Sequence, residues 1–250
     1  MTSPSLSQSA PFATSSADGQ RYARLAGLLL LLSAVFGGFG EMYVPEKLTV
    51  WTDPAATAGN IITSNALFRL GFASYLVEAV CDVVLAWAFY VLLRPVRPNV
   101  ALLTAFLGLV STALYAVAET FYFVPTLLLG GGDYLTVFTR EQLSAIALLS
   151  LKLFGNVGGI FLVFYGVASL LRGYLIVQSR YLPRTLGVLL GLGGVGFIVQ
   201  DILIVLSPAR SSGLLLLPMI VAMLSLMLWL LVKGVDARHW EALAKQGQPA

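Results

Sequence analysis

Charge is scarce in this chain of 250 residues: Asp, Glu, Lys and Arg together make up 11% of it, against roughly 25% in an ordinary soluble domain. So few charges cannot cover a water-facing surface of this size, and lipid has to take the place of water around most of it. Cysteine and histidine are scarcer still, with one of each. Cys81 alone, set in an apolar stretch, permits neither an intrachain disulfide nor a cysteine metal cluster. His239 alone, near the C-terminus, leaves no histidine pair within the membrane for haem or metal, and no base for a Ser/His or Cys/His catalytic pair. Walker and dinucleotide fingerprints are also missing. What is abundant is apolar: 58% of residues are hydrophobic and the mean hydropathy is +0.87. A membrane-crossing helix needs about 20 apolar residues, so the chain has room for six spans and no sizeable soluble domain. The expected fold class is therefore all-α, a polytopic transmembrane bundle of six spans.

The boundaries follow from local signals. Residues 1–20, rich in Ser, Thr, Pro and Ala, cannot bury enough apolar area to order themselves and read as a disordered cytoplasmic tail. Arg21 and Arg24 come too late for a secretory signal, so span one, about 25–43, reads as an uncleaved anchor. Asp53 before Pro54 is an N-cap with proline at the first helical position. The polar lead-in 54–65 then precedes span two, about 66–93, which Arg94-Pro95 stops. Span three, about 100–123, ends near Pro125 in a predicted aromatic girdle of Phe121, Tyr122 and Phe123. Gly130-Gly131-Gly132-Asp133 matches the G-x-G-D string of intramembrane aspartyl proteases but lies in a loop and reads as a turn. Thr139-Arg140-Glu141-Gln142 is a capping box opening a long span four to about residue 171. Span five lies between Pro183-Arg184 and Ser207-Pro208, and span six at about 214–232. The membrane domain thus covers 21–235. Residues 236–250 form a short cytoplasmic tail that reads as a surface helix with Trp240 at the headgroups.

Six spans put both termini on one side. Arg21, Arg24, Arg94, Arg97, Arg172, Arg180, Arg184, Lys233, Arg238 and Lys245 fall on that side, so both termini are expected in the cytoplasm. The net charge of +3 expresses this bias and does not point to nucleic acid. Gly155 with Gly159, and Gly187 with Gly191, have the spacing of close helix approach, read here as packing within the chain ahead of a dimer face.

Taken together, Arg24-Leu25-Ala26-Gly27-Leu28, Asp53-Pro54-Ala55-Ala56-Thr57-Ala58, Phe68-Arg69-Leu70-Gly71, Leu92-Leu93-Arg94-Pro95-Val96, Tyr181-Leu182-Pro183-Arg184 and Trp229-Leu230-Leu231-Val232-Lys233-Gly234 resemble a widespread bacterial family of six-span membrane proteins defined by a domain of unknown function. The resemblance runs from about residue 24 to 235 and implies an inner-membrane protein, without a reaction or substrate. Members of that family often carry an arginine at the position of Gly108, histidines at Phe154 and Ala168, and a glutamate at Met223. This chain lacks all four, which implies that it has lost such a site or uses another set of residues.

Ionisable groups in a bilayer cost about 2.5 to 3.5 kcal/mol each at a helix centre, so each needs a reason. Glu78 and Asp82, four residues apart, share one helix face. Two carboxylates so placed repel if both ionise, so a shared proton or an intervening cation is expected. Lys152 is expected about 15 Å below the outer rim, with Asn156 one turn on and Glu78, Glu119 or Asp201 as counter-ion, Glu119 first. Arg69 is expected to reach Glu41, Glu119 or lipid headgroups. A polar network of Glu41, Arg69, Glu78, Asp82, Glu119, Lys152, Asn156 and Asp201 is the candidate binding site, with no catalytic residue, metal or cofactor assigned. The reading is non-enzymatic: a small transporter-like or ligand-binding bundle with a buried charged pocket. Its alternative is a structural or regulatory component with internally paired charges. The partners implied are the lipid bilayer, an unknown small ligand or ion, and another membrane protein or a second copy.

Overall fold

The computed structural model describes residues 15–157 and 159–246, and among them the regular structure is all helix, joined by short turns, with no strand. Six helical segments are long and apolar enough to cross a membrane: Ser16–Leu48, Asn65–Leu93, Pro98–Leu129, Arg140–Ser179, Arg184–Leu206 and Gly213–Val232. The chain is a multi-pass membrane protein built as an all-α bundle.

Helix α1 (Ser16–Gly37) opens with a capping box in which Ser15 and Asp18 bond reciprocally, so the helix begins inside the stretch read as a disordered tail. Residues 1–14 of that tail lie outside the described residues. Past α1 the backbone widens into a π-helical segment, Gly38–Tyr43, before tightening again as α2 (Val44–Leu48). Pro45 supplies the local reason. Having no N–H, it cannot bond the carbonyl of Glu41 four residues back, and the Val44 N–H reaches Phe39 instead. The lead-in α3 (Pro54–Thr63) starts as expected, with Asp53 accepting from the Ala56 N–H at 2.9 Å. Helix α4 (Asn65–Leu93) and helix α5 (Pro98–Leu129) follow. The Thr139/Gln142 capping box closes at 2.8 and 3.2 Å and opens α6 (Arg140–Val157). Beyond it come α7 (Gly159–Ser179), α8 (Arg184–Leu206), α9 (Leu217–Val232) and α10 (Ala237–Gln246).

Span four differs from the sequence reading. Its apolar stretch falls into two helices on either side of residue 158, α6 of 18 residues and α7 of 21, and α7 alone, about 31 Å at 1.5 Å per residue, matches the hydrocarbon thickness of about 30 Å. Its partner shows which half crosses. Helices α7 and α8 pack antiparallel with glycine against glycine: a Cβ on Gly173 would meet the Gly187 carbonyl at 2.5 Å, and one on Gly194 the Gly166 carbonyl at 2.5 Å. Seven residues further along each helix, Gly159 faces the Asp201 carboxyl. Gly159 is thus level with the last turns of α8, and α6 continues beyond them. Of the two pairs that sequence spacing singles out, a Cβ on Gly187 would meet the Gly173 carbonyl at 2.6 Å, whereas a Cβ on Gly155 would have nothing within 4 Å among the described residues.

Both described termini lie at one end of the bundle, called proximal below. Gln20 Nε2 donates to the Lys233 carbonyl at 3.0 Å and its Oε1 accepts from Val235 N–H at 3.1 Å. Helix α10 does not float at the headgroups. Trp240 is 0% exposed, lies against Gly19 of α1 and donates its indole N–H to the Leu92 carbonyl at 3.0 Å. The indole is too large and apolar to leave in water when Gly19 opens room for it. One apolar core fills the proximal end around Leu92, Leu175, Leu190, Met219 and Trp240. A second, smaller and richer in aromatic residues, fills the distal end around Phe68, Tyr75, Tyr115 and Tyr122.

Candidate functional site: a carboxyl and tyrosine cluster

Four of the expected site residues converge. Glu41 rides on the π-helical segment, which turns it inward although much of the residue stays exposed, and its carboxyl accepts the hydroxyl of Tyr115 on α5. π-Helical turns recur at functional sites. Glu78 and Asp82 both turn from α4 towards α1. Asp82 accepts from Ser33 at 2.9 Å, and a Cβ on Gly37, one turn further along α1, would meet Glu78 Oε1 at 2.5 Å. Glu119 of α5 is 2% exposed. Glu41 on Tyr115, Glu78 beside Gly37, and Glu119 between Tyr115 and Tyr122 on α5 place carboxyls of three spans in the same distal part of the bundle.

Tyrosine rings line that part. Tyr75 packs edge-on against Tyr115 and Tyr122 at 6.1 and 5.1 Å, and Phe154 lies 5.6 Å from Tyr122. Tyr75 donates to the Gly40 carbonyl at 2.8 Å. Tyr122, expected in a lipid-facing girdle with its neighbours, is 1% exposed. It stacks on Phe68 at 4.6 Å, because Tyr115, Glu119 and Tyr122 recur at spacings of four and three and so form one stripe on α5. Among the described residues, Glu78 Oε2, Glu119 Oε1 and Tyr122 Oη have no hydrogen-bond partner. Buried polar atoms are bonded in the large majority of cases, and three of the six unpartnered buried side-chain atoms among the described residues lie in this cluster.

A second polar pocket lies one turn of α4 deeper, about 6 Å along the axis. Asp82, Gly108, Thr112, Tyr165 and Arg172 surround a cavity of about 10 Å³, close to the space one water needs. Arg172 was counted among rim residues on sequence. It is 4% exposed, with its guanidinium 4.4 Å over the Phe89 ring, because α7 runs on to Ser179 and carries it seven residues inside the helix end. It lines the same cavity as Asp82. Two positions at which this chain departs from its resembled family meet here: Gly108 lines the cavity, and Met223 Sδ accepts from Tyr165 at 3.6 Å.

The other expected members lie elsewhere. Arg69 is exposed and donates to Asn65 on its own helix at 2.8 Å. Asp201 sits against Gly159 in the α7–α8 contact. Lys152 is exposed on α6, two residues before Phe154 of the tyrosine cluster, and so belongs to the distal end of the bundle. Asn156 lies on α6, with its side chain outside the described residues. Missing from the sequence reading were Tyr75, Tyr115, Ser33, Tyr165 and the burial of Arg172; the tyrosine stripe beside Glu119 was the available signal.

The fold and this intramembrane polar core define a class: a six-span membrane helix bundle with a carboxyl cluster in its distal half. The domain of unknown function DUF4386 matches residues 25–234, and the chain belongs to that family. A protein of Archaeoglobus fulgidus described as an uncharacterized protein is 26% identical over 124 residues, 50% of this chain and 60% of that one. The chain therefore spans less than two thirds of that relative's length. No solved structure matches the chain.

Proposed function

We propose that this is a small transporter-like or ligand-binding protein of the bacterial inner membrane, with both termini cytoplasmic, that takes up a proton or small cation at Glu41, Glu78 and Glu119. One observation supports the reading: among the described residues, buried oxygens of Glu78, Glu119 and Tyr122 have no hydrogen-bond partner, and Tyr115 on the same helix as Glu119 and Tyr122 bonds the Glu41 carboxyl. A bound cation or a shared proton would satisfy those atoms at once. The tyrosines supply hydroxyl oxygens and ring faces that suit a positive charge. Asp82, one turn on towards Arg172, is the next acceptor along α4. The orientation rests on the basic residues of the proximal end; without Arg172 nine remain there, still the majority.

Proteoliposomes loaded with a pH-sensitive dye test the uptake. Imposing a proton or alkali-cation gradient should change internal pH faster than in protein-free vesicles, and Glu78→Gln should abolish the difference while leaving folding intact. Equal rates with and without protein, for protons and for alkali cations, would sink the proposal and favour a structural or regulatory membrane component.

A further inference from the structure

A separate cleft of about 340 Å³ opens at the proximal rim, lined among others by Arg180, Tyr181, Trp229, Lys233 and Asp236. It lies where the end of α7, the start of α8 and the end of α9 meet, well away from the carboxyl cluster. Its volume falls within the range of small-ligand sites. Two cations face it. Lys233 is held with its ammonium 4.6 Å over the Trp229 ring, which fixes a side chain that would otherwise sweep freely. Arg180 has φ 58°, the left-handed region that glycine occupies without strain and arginine does not. A glycine would close this turn more cheaply, so the turn holds a guanidinium at the cleft at some conformational cost. The one acid in the lining is already engaged, since Asp236 accepts from the Arg238 and His239 N–H groups at 3.1 and 3.2 Å and from the His239 ring at 3.1 Å. The other polar groups of the lining are spent as well: Tyr181 donates to Leu92 at 2.7 Å and the Gly234 N–H to Trp229 at 2.9 Å. What remains unspent is a pair of cations beside an indole at the depth where the span ends. That combination suits an anion bearing several acceptor oxygens, and guanidinium and ammonium groups both bind phosphate with charge-assisted bonds.

We propose that the cleft formed by Arg180, Trp229 and Lys233 binds a phosphate group, carried by an anionic lipid headgroup or free in solution. The inference does not depend on cation uptake by the distal cluster. The test uses the full chain in detergent, titrated separately with phosphatidylglycerol and with inorganic phosphate. Bound lipid is counted by native mass spectrometry, and phosphate binding is read by the shift in unfolding temperature. The wild type should hold one tightly bound phosphatidylglycerol or be stabilised by phosphate. The variant Arg180→Gly with Lys233→Gln should bind about thirtyfold more weakly, at roughly tenfold per 1.4 kcal/mol and about 1 kcal/mol per surface cation. Binding of the lipid alone identifies a headgroup site, and stabilisation by phosphate alone identifies a soluble anion. Arg180→Gly suits the left-handed backbone, so the variant should fold, which circular dichroism checks; Arg180→Lys with Lys233→Arg should retain binding. Equal binding by wild type and the Gly/Gln variant, or binding of neither probe to the wild type, overturns the proposal.

Discussion

The two ends of the bundle bury polar groups on different terms. Around the proximal core Tyr181 and Trp240 both donate to the Leu92 carbonyl, at 2.7 and 3.0 Å, among mostly aliphatic side chains and Phe89, while Arg172 Nε has no hydrogen-bond partner among the described residues. The distal core is as well buried at Tyr122 and Glu119, yet oxygens of both have no partner among the described residues. An unmet buried polar atom costs about 1 to 3 kcal/mol, a cost that packing alone gives no reason to carry. The contrast makes Tyr181 and Trp240 anchors of the proximal fold and leaves unmet carboxyl and phenol oxygens at the distal end.

The largest expected effect lies in the proximal lock. Trp240→Ala removes a fully buried indole and should cost about 3 to 5 kcal/mol, read by equilibrium unfolding in detergent. Molecules that remain folded should keep whatever cation uptake the wild type shows. A change in uptake as large as the change in stability would break the division between the ends.

Next in size is the glycine seam. Gly173→Val drives a side chain into the Gly187 carbonyl and should cost about 1 to 3 kcal/mol, whereas Gly155→Ala, with open space around its Cβ, should be close to neutral. Thermal unfolding of the two variants side by side checks it, and equal losses would refute the seam.

At the distal end the sign should reverse. Glu119→Met replaces an orphaned carboxyl with an apolar side chain of similar length and should raise stability by about 1 kcal/mol while abolishing cation uptake. A marked loss of stability would show that Glu119 holds the bundle together and would blur the comparison.

The smallest effect concerns the cap of α10. Hydrogen bonds from the His239 N–H and ring hold the Asp236 carboxyl below its ordinary range. A depressed carboxyl contributes stability that is present above the ordinary value, about 3.9, and lost as pH falls through the lowered one. Trp240 fluorescence should therefore report loosening of α10 only below about pH 4. Asp236→Ala should remove that step, and a step unchanged in the variant would assign it to another group.

Much of the fold was legible because its signals are local. Asp53-Pro54 and Thr139/Gln142 announced helix starts that the hydrogen bonds then show, and the apolar runs gave six spans. The π-helical turn at Glu41 was not legible, although Pro45 hints at it. The end of span four was less legible: the apolar pattern suggests a stop near residue 171, whereas α7 runs on to Ser179 and buries Arg172 inside the bundle.

What the sequence determined by itself was the solvent, the number of crossings and the scarcity of intramembrane charge, because each depends on residues within one turn or one span. Which charges meet was decided only by tertiary structure. Glu41, Glu78 and Glu119 are about forty residues apart in sequence, and their meeting depends on the rotation and register of three helices about their axes. Those are set by contacts such as Ser33 to Asp82, Tyr115 to Glu41 and Gly173 to Gly187, which no periodicity within a single helix encodes.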